Sequence, residues 1–343
     1  MHMTAQPTAY RVFSDLRWPL KTGIGNVQTE LLARAPGHIT IVDAEVQGSI
    51  GSPLSPWAIS RALQQQKTGD GVFWSAGFVP PATHHLPAVV TVHDLTHLHF
   101  YSRLHKAYYN LLLRPLYRRC GAIVCVSDYT RREFLAWSGM PSAKVHVVYN
   151  GVSSIYAENQ QTYDLPYRYV LYPGNHRSYK NLARLVAAYA QSSLPREDIH
   201  LVMTGQPDPA LLAQAESLGI APQLHFLGRV ADADLPRIYK GAILVAFVSL
   251  YEGFGLPLVE AMASGVPVLT SSVSAMPEVA ADAALIIDPY SIEAIAGGLD
   301  TLTQNEALRA DLIGKGQQQV VRFSWDQSAH SVWSIVDDVY RHG

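Results

Sequence analysis

The stretch AILVAFVSLYEGFGLPLVEAMASGVPVLTS, residues 242–271, contains the pattern that decides the fold. It begins with an unbroken apolar run (242–249), passes through a glycine-rich bend, continues as a helical segment (257–265) and ends in a second apolar run (266–271). Strands that lack an alternating polar face are typical of parallel sheets covered by helices on both sides. The stretch therefore predicts one strand–helix–strand unit of a doubly wound α/β sheet.

The same alternation runs through the rest of the 343-residue chain. Strands are predicted at 10–15, 38–44, 71–77, 88–94, 122–128 and 144–151, and again at 169–174, 199–205, 223–228, 242–249, 266–271 and 284–289. A polar segment without periodicity, 152–166, separates the two sets and is interpreted as a linker. The pattern predicts two doubly wound parallel-sheet domains in tandem. Ligands bind such sheets at the carboxyl ends of the strands, so we expect a site in the cleft between the domains.

Composition excludes several classes of protein. A formal net charge of −2 gives no electrostatic reason to bind nucleic acid. The cysteines, Cys120 and Cys125, are too few for a disulfide framework and suit a reducing cytosol. The longest apolar run, 241–251, is too short to cross a bilayer, and the first residues lack the apolar core of a signal peptide. We therefore expect a cytoplasmic protein.

The bend after the apolar run 242–249 is suited to bind an anion. Pro257 is a favourable first helical residue and Gly265 a favourable terminator, so the backbone N–H groups at Gly255 and Leu256 should carry partial positive charge. Such a helix start accommodates a phosphate. Glu260 is expected in the first turn. There it could complement the helix dipole, or accept hydrogen bonds from two neighbouring hydroxyls, as on a ribose.

Several blocks of the chain together resemble the retaining glycosyltransferases of family four, which have the GT-B fold of two Rossmann-like domains. These blocks are EGFGLPLVE (252–260), TVHDLTHL (91–98), VCVSDYTRREF (124–134), YPGNHRSYKNL (172–182) and FSWDQSAHSVWSIVDDVY (323–340). The resemblance implies an acceptor-binding domain at 1–155, a nucleotide-sugar-binding domain at 156–325 and a last helix, 326–343, that packs back on the first domain.

The glutamates of the E-x7-E signature receive their roles from this resemblance. Glu260 would hold the ribose hydroxyls of the donor nucleotide, and Glu252 would touch hydroxyls of the donor sugar. The backbone of Phe254, Gly255 and Leu256 would face the sugar and the diphosphate. Taken without the resemblance, Glu252 is an ordinary solvated loop charge.

The resemblance also implies a cationic site after residue 172. Lys180, six residues after Gly174, would neutralise the leaving diphosphate, and Gly174 would bind the donor. Many family members place an arginine directly after that glycine or two residues after it, whereas this chain has Asn175 and His176 there. Arg177 would then be the residue that reaches the phosphates, or else a solvated charge at a loop–helix junction.

Three residues of the first domain complete the expected site. In the family a histidine at the position of His93 reaches the donor sugar; the alternative is a histidine bonded to neighbouring loop backbone. Gly23 and Gly25, in a loop after the first strand, would allow close approach of the donor phosphate or the acceptor.

A histidine cluster raises a different possibility, a transition-metal site. The ligand types are His93, Asp94, His97 and His99, with His84 and His85 nearby. A helical spacing of these ligands is not expected directly after a strand, and the resembled family works without a bound metal. We expect no metal and no other cofactor.

The expected activity is a retaining, metal-independent hexosyl transfer in polysaccharide biosynthesis. The donor would be a nucleoside-diphosphate sugar such as GDP-mannose, and the acceptor a hydroxyl of a glycan or of a lipid-linked saccharide. The alternatives are a nucleotide-sugar hydrolase or epimerase on the same fold, a metal-dependent hydrolase that uses His93, His97 and His99, and a catalytically silent binding protein.

Residues 102–119 combine five basic side chains with tyrosines and leucines. Such a helix can lie on the inner face of an anionic membrane, or it can be an ordinary helix with one buried face and snorkelling cations.

Overall fold

The computed structural model describes residues 9–20, 22–66, 70–83 and 85–342. The chain divides into two compact units. Unit 1 comprises Met1–Gly151 together with Trp325–Gly343, and unit 2 comprises Val152–Ser324.

Within its described residues, unit 1 contains a six-stranded parallel sheet in the order β2-β1-β3-β4-β5-β6. Its strands are β1 (Tyr10–Ser14), β2 (Ile39–Asp43), β3 (Gly71–Ser75), β4 (Ala88–Val92), β5 (Ala122–Cys125) and β6 (Val145–Val147). The helices between them are α1 (Gly23–Leu32), α2 (Ser55–Gln65), α3 (Thr96–His99), α4 (Arg103–Tyr108), α5 (Arg114–Tyr117) and α6 (Asp128–Ser138). The central strands β3, β4 and β5 are buried along their whole length, as expected for a sheet covered on both faces.

Unit 2 repeats this architecture, again with six parallel strands among the described residues, in the order β12-β11-β10-β7-β8-β9. Its strands are β7 (Arg168–Tyr172), β8 (Ile199–Met203), β9 (Leu224–Phe226), β10 (Leu244–Phe247), β11 (Val268–Ser271) and β12 (Leu285–Ile287). Its helices are α7 (Ile155–Glu158), α8 (Leu182–Gln191), α9 (Pro209–Ser217), α10 (Leu235–Gly241), α11 (Leu256–Ala263), α12 (Met276–Ala280), α13 (Ile292–Gln304) and α14 (Glu306–Gln319). The strand order reverses between β7 and β10, which makes the gap between their carboxyl ends the switch point of the sheet.

The last helix, α15 (Trp325–His342), belongs to unit 1. Its Trp333 is buried against Trp74 of β3, with ring centroids 4.9 Å apart, and the Trp333 indole N–H donates to the Leu31 carbonyl at 3.1 Å. The chain therefore leaves unit 1 after β6 and returns to complete its core.

The two α/β sheets predicted from the sequence are confirmed, and each predicted strand is present in a shorter form. Residues 152–166 connect β6 to β7, as the predicted linker does, but they also have structure of their own. They include α7, Tyr156 is buried, and the Tyr163 N–H donates to the Arg237 carbonyl at 3.0 Å. A helical turn, α3, does follow β4, where none was expected.

Pro115 disturbs its helix one turn upstream. The residues between α4 and α5, Tyr109–Leu113, form a π-helical turn. Proline has no N–H to donate and crowds the carbonyl four residues earlier, so the wider turn is a physical consequence of Pro115.

Candidate active site

The candidate site lies where the strand order of unit 2 reverses. The loop after β7 contains Gly174, Arg177 and Lys180, and the loop after β10 contains Glu252 and leads into α11. Ligands of open α/β sheets bind at such a switch point, outside the carboxyl ends of the strands. The structure therefore brings the predicted donor-binding loops together at one edge of one sheet.

Lys180 and Glu252 form a direct ion pair at this edge. The Lys180 Nζ donates to the Glu252 Oε1 at 2.6 Å, and the two side chains are only 10% and 13% exposed. The ammonium also lies 5.0 Å from the centre of the buried Phe247 ring. Sequence analysis predicted both residues as parts of the site, but not their contact.

Asn181 fixes the loop that presents Lys180. Its backbone is left-handed, with φ of 66°, and its side-chain amide donates to the Val248 carbonyl at 3.0 Å and to the Pro289 carbonyl at 2.7 Å. The Leu250 N–H donates to the Tyr179 carbonyl at 2.8 Å. These bonds join the loops after β7, β10 and β12. Asn181 was not predicted as a site residue, because an asparagine directly before a helix usually indicates an N-cap with extended backbone.

The backbone of Glu252 is held by the loop that follows β11. The Glu252 N–H donates to the Ser274 Oγ at 3.0 Å, and the Ala275 N–H donates to the Glu252 carbonyl at 3.3 Å. Ser274 itself has a φ of 57°. The segment after β11 thus holds the backbone of Glu252 while Lys180 holds its carboxylate.

The bend between Glu252 and Glu260 has the predicted glycine geometry. Gly255 has a φ of 97° and directly precedes α11, and Gly265 follows the helix with a φ of 67°. Phe254 is buried and meets Phe323 edge to face, with ring centroids 5.4 Å apart. Because α11 begins at Leu256, Glu260 is its fifth residue and does not lie in the first turn, as was predicted. The dipole-complementing alternative for Glu260 loses its support, since that effect falls off within the first turn.

Glu260 instead lies next to two tyrosines. The Tyr239 hydroxyl donates to the Glu260 Oε2 at 2.6 Å, and Tyr156 lies near the same carboxylate. Burial raises the pKa of the Glu260 carboxyl, and the two tyrosine hydroxyls oppose that rise. The tyrosines come from α10 and α7, far from Glu260 in sequence, and no sequence pattern indicated them.

The loop after β7 depends on a glycine. Gly174 has a φ of 146°, and a Cβ there would lie 2.9 Å from the Tyr172 hydroxyl oxygen. Its N–H donates to the Thr204 Oγ1 at 2.8 Å. Arg177 is exposed on the same loop, and its carbonyl accepts from the Lys180 N–H at 2.9 Å.

His93, in unit 1, follows β4 and is half-buried. Its Nε2 lies 2.6 Å from the Ala76 carbonyl oxygen, which is the backbone contact that sequence analysis gave as the alternative to a sugar contact. A carbonyl oxygen only accepts, so the proton is on Nε2 and Nδ1 is an acceptor. Burial lowers the pKa of His93, which keeps the ring neutral near pH 7.

The predicted glycines near the start of unit 1 lie in the first turn of α1 and not in a preceding loop. A Cβ on Gly25 would collide with the Pro19 carbonyl oxygen, so local packing alone accounts for this glycine. Gly23 is exposed, with no atom near the position of a Cβ.

The histidine cluster does not converge on one point. His93 contacts the Ala76 carbonyl, the His97 Nδ1 lies 3.0 Å from the Tyr109 hydroxyl oxygen, and His99 pairs with Glu133. Within residues 9–20, 22–66, 70–83 and 85–342, no group of three or more His, Cys, Asp or Glu side chains is arranged to hold a metal. His84 lies outside the described residues.

The helical stretch from α4 to α5 carries apolar side chains both in the core and at the surface. Tyr109, Leu113 and Tyr117 are buried, while Leu104 and Leu111 point outward and are 81% and 80% exposed. In the part of the chain that the structure describes, no helix is long and apolar enough to span a membrane.

Comparison with known proteins agrees with this architecture. The model of the family described as Glycosyltransferase Family 4 matches residues 52–154, and that described as Glycosyl transferases group 1 matches residues 157–319. The O-antigen chain mannosyltransferase B of Escherichia coli is 31% identical over 80% of this chain and 75% of its own length. The serotype-specific mannosyltransferase WbdA of Escherichia coli is 30% identical over 62% of this chain, but the match spans only 28% of WbdA.

Solved structures show the same fold. The crystal structure of Anabaena HepE in complex with UDP-glucose superimposes with a TM-score of 0.71, covering 94% of this chain and 99% of that chain at 19% identity. Two six-stranded parallel sheets among the described residues, both family matches and the relative from Escherichia coli agree. The chain belongs to the family-4 glycosyltransferases, which have the GT-B fold.

Proposed function

We propose that this glycosyltransferase moves a hexosyl group, with retention of configuration, from a nucleoside-diphosphate sugar to a hydroxyl of a glycan or lipid-linked saccharide in polysaccharide assembly. The observation that supports this most directly is the Lys180–Glu252 ion pair at the switch point of unit 2, with Glu260 in the helix that follows. The site offers a cation for a diphosphate, a carboxylate for a sugar and a second carboxylate for a ribose.

We propose mannose as the sugar and GDP-mannose as the donor. Support comes from the related O-antigen mannosyltransferase, which shares 31% of its residues with this chain over the matched region. Glu252 and the neutral His93 would contact sugar hydroxyls, and Glu260 the ribose. Gly174, the backbone of Phe254, Gly255 and Leu256, and Arg177 would surround the diphosphate. For Gly23 and Gly25 a ligand contact remains a proposal, since packing already explains Gly25.

In the proposed reaction the bond between the anomeric carbon and the diphosphate oxygen breaks, and its electron pair stays on the diphosphate. Lys180 and the positive end of α11 stabilise this charge as it develops. The acceptor oxygen bonds to the anomeric carbon on the face that the diphosphate leaves, and its proton passes to the departing phosphate oxygen. The cationic groups of the chain thus take the place that a divalent metal has in other transferases.

We propose that unit 1 contacts the cytoplasmic face of a membrane through residues 102–119. Leu104 and Leu111 are both exposed, and Arg103, Arg118 and Arg119 are exposed on the same helical stretch. An anionic bilayer suits exposed leucines flanked by arginines. A lipid-linked acceptor would be reached at that surface.

The donor can be tested by thermal shift with GDP-mannose, UDP-glucose, dTDP-glucose and ADP-glucose. A nucleotide that binds the folded protein raises the melting temperature in proportion to its concentration over its Kd. We expect the largest shift with GDP-mannose. A larger shift with another nucleotide sugar would refute that donor, and no shift with any of the four would refute the donor site itself.

The reaction can be tested by NMR of the product. We expect an α-linked product from an α-linked donor, formed equally well in the presence of EDTA. A β-linked product would refute retention, and loss of activity with EDTA would refute the metal-independent reaction. Donor consumption without any acceptor product would indicate the hydrolase or epimerase alternative.

A further inference from the structure

The carboxylate of Glu260 lies next to two buried tyrosines on different helices. Tyr239, on α10, is fully buried and donates to Oε2 at 2.6 Å. Tyr156, on α7, is also buried and lies close enough for the negative charge of Glu260 to add to the effect of burial on its pKa. The carboxylate thus has one fixed donor within the protein and keeps further acceptor positions for a ligand.

Both tyrosines can act only as donors toward Glu260. Burial and the negative charge of Glu260 raise the pKa of Tyr239 and of Tyr156 far above that of a free phenol, so both keep their protons. Their rings meet edge to face, with centroids 5.4 Å apart and an interplanar angle of 86°. This ring contact joins the two tyrosines, so a change in either one can reach the carboxylate of Glu260.

An ionised carboxylate can accept about four hydrogen bonds. Tyr239 uses one of them, so enough remain for two neighbouring hydroxyls on one sugar. The 2′- and 3′-hydroxyls of a ribose have this arrangement. The tyrosines also oppose the effect of burial on the carboxylate, which favours the ionised form that accepts from both hydroxyls.

We propose that Tyr156 and Tyr239 are positioning residues that determine how strongly this chain selects a ribonucleotide over a deoxyribonucleotide. They act through Glu260, by holding its carboxylate in the orientation that receives the ribose diol. The proposal rests on the donor site proposed above. It adds the residues that make this site prefer ribose to deoxyribose in the nucleotide.

The test is a thermodynamic cycle between protein and ligand. Isothermal titration measures the Kd of GDP and of 2′-deoxy-GDP, and of UDP and 2′-deoxy-UDP, for the wild-type chain, Tyr239→Phe and Tyr156→Phe. The matched control is Tyr189→Phe, which removes a buried hydroxyl that donates to the Ile199 carbonyl at 2.8 Å elsewhere in unit 2. Phenylalanine keeps the ring and its packing in each case.

We expect the wild type to prefer the ribonucleotide by about tenfold or more, because a hydrogen bond to a charged group is lost with the 2′-hydroxyl. In Tyr239→Phe and Tyr156→Phe this preference should fall at least about threefold, as expected when charged hydrogen bonds weaken. The deoxynucleotide should lose less affinity than the ribonucleotide, because only its 3′-hydroxyl can bind Glu260. Tyr189→Phe should keep the wild-type preference. With saturating acceptor, the donor KM should rise in the two tyrosine variants while kcat stays constant.

An unchanged ribose preference in both tyrosine variants would overturn the proposal and leave the donor site standing. An equal loss of affinity for both nucleotides would also overturn it, because it would indicate a general structural role. If the wild type binds none of the four nucleotides, the donor site is wrong and the proposal falls with it. Since Tyr156 and Tyr239 lie on separate helices, a folding defect in one variant leaves the other as the test.

Discussion

The Lys180 ammonium donates to the Glu252 carboxylate at 2.6 Å, so the cation proposed to bind the diphosphate and the acid proposed to contact the sugar are partners of each other. An ammonium has three N–H donors, so Lys180 can bind a diphosphate while it keeps its bond to Glu252. The bond between Lys180 and Glu252 therefore couples recognition of the diphosphate to the position of the carboxylate proposed to touch the sugar.

This coupling predicts different outcomes for activity and for stability. Lys180→Ala and Glu252→Ala should each lower kcat/KM by about 10²–10³, the usual loss when one charge-stabilising group is removed. Each should also lose stability, because it leaves an uncompensated, nearly buried charge. In urea unfolding the double variant should be less destabilised than the sum of the single variants, by about 0.5–3 kcal/mol, without regaining activity. Additive stability losses would show that the ion pair has no net effect on folding.

Asn181 offers a test of how the lysine loop is held. Asn181→Gly keeps the left-handed backbone but leaves the Val248 and Pro289 carbonyls without their donor, at a cost of about 1–3 kcal/mol. Asn181→Ala loses the same bonds and adds about 1–2 kcal/mol of left-handed strain. In urea unfolding we therefore expect the alanine variant to be the less stable of the two. Equal stabilities would show that the backbone relaxes out of the left-handed conformation.

We expect the ionised Glu260 carboxylate to lower the free energy of unfolding, by an amount that depends on pH, while it supports donor binding. Burial raises its folded pKa above the unfolded value of about 4.3, so the ionised carboxylate lowers stability above the folded pKa and has no such effect below the unfolded pKa. Glu260→Gln should raise the melting temperature relative to wild type at pH 8, and this advantage should shrink as the pH falls toward 5.

The control for this measurement is Glu216→Gln, which changes an exposed glutamate on α9. Its melting temperature should follow the wild type at each pH. A Glu260→Gln advantage that does not depend on pH would contradict the burial of an ionised carboxylate at this position. Donor binding by Glu260→Gln should be weaker at every pH.

The membrane proposal predicts binding to vesicles rich in phosphatidylglycerol. Replacing both Leu104 and Leu111 by glutamine should reduce the bound fraction about tenfold or more, since burying one leucine contributes about 1.5–3 kcal/mol. High salt should weaken the binding further by screening the arginines. Leu218→Gln, at an exposed leucine of unit 2, is the control. Flotation that does not respond to the leucine pair would exclude this face as the contact.

The fold could be predicted from the sequence because the strands are continuous apolar runs, whose position is a local property. The loop after β10 could also be predicted, since Glu252, Gly255 and Glu260 are close in sequence. The helix start was placed one residue too late, because Pro257 is the second residue of α11, and this moved Glu260 out of the first turn.

The partners of the site residues could not be predicted in the same way. Tyr156 and Tyr239 reach Glu260 only after three helices have packed, and a buried tyrosine has the same local pattern as any other core residue. The Lys180–Glu252 contact likewise depends on β7 and β10 being neighbours in the sheet. Local sequence indicates which groups are present, whereas the order of the strands decides which of them meet.

The return of α15 to unit 1 has a consequence for synthesis of the protein. A ribosome delivers all of Val152–Ser324 before it delivers Trp333, so the second unit can complete its core while the first still lacks the indole that covers Trp74. The apolar surface around Trp74 in a nascent chain therefore stays exposed while the whole of unit 2 is translated. Premature termination before Trp325 would leave that surface permanently exposed.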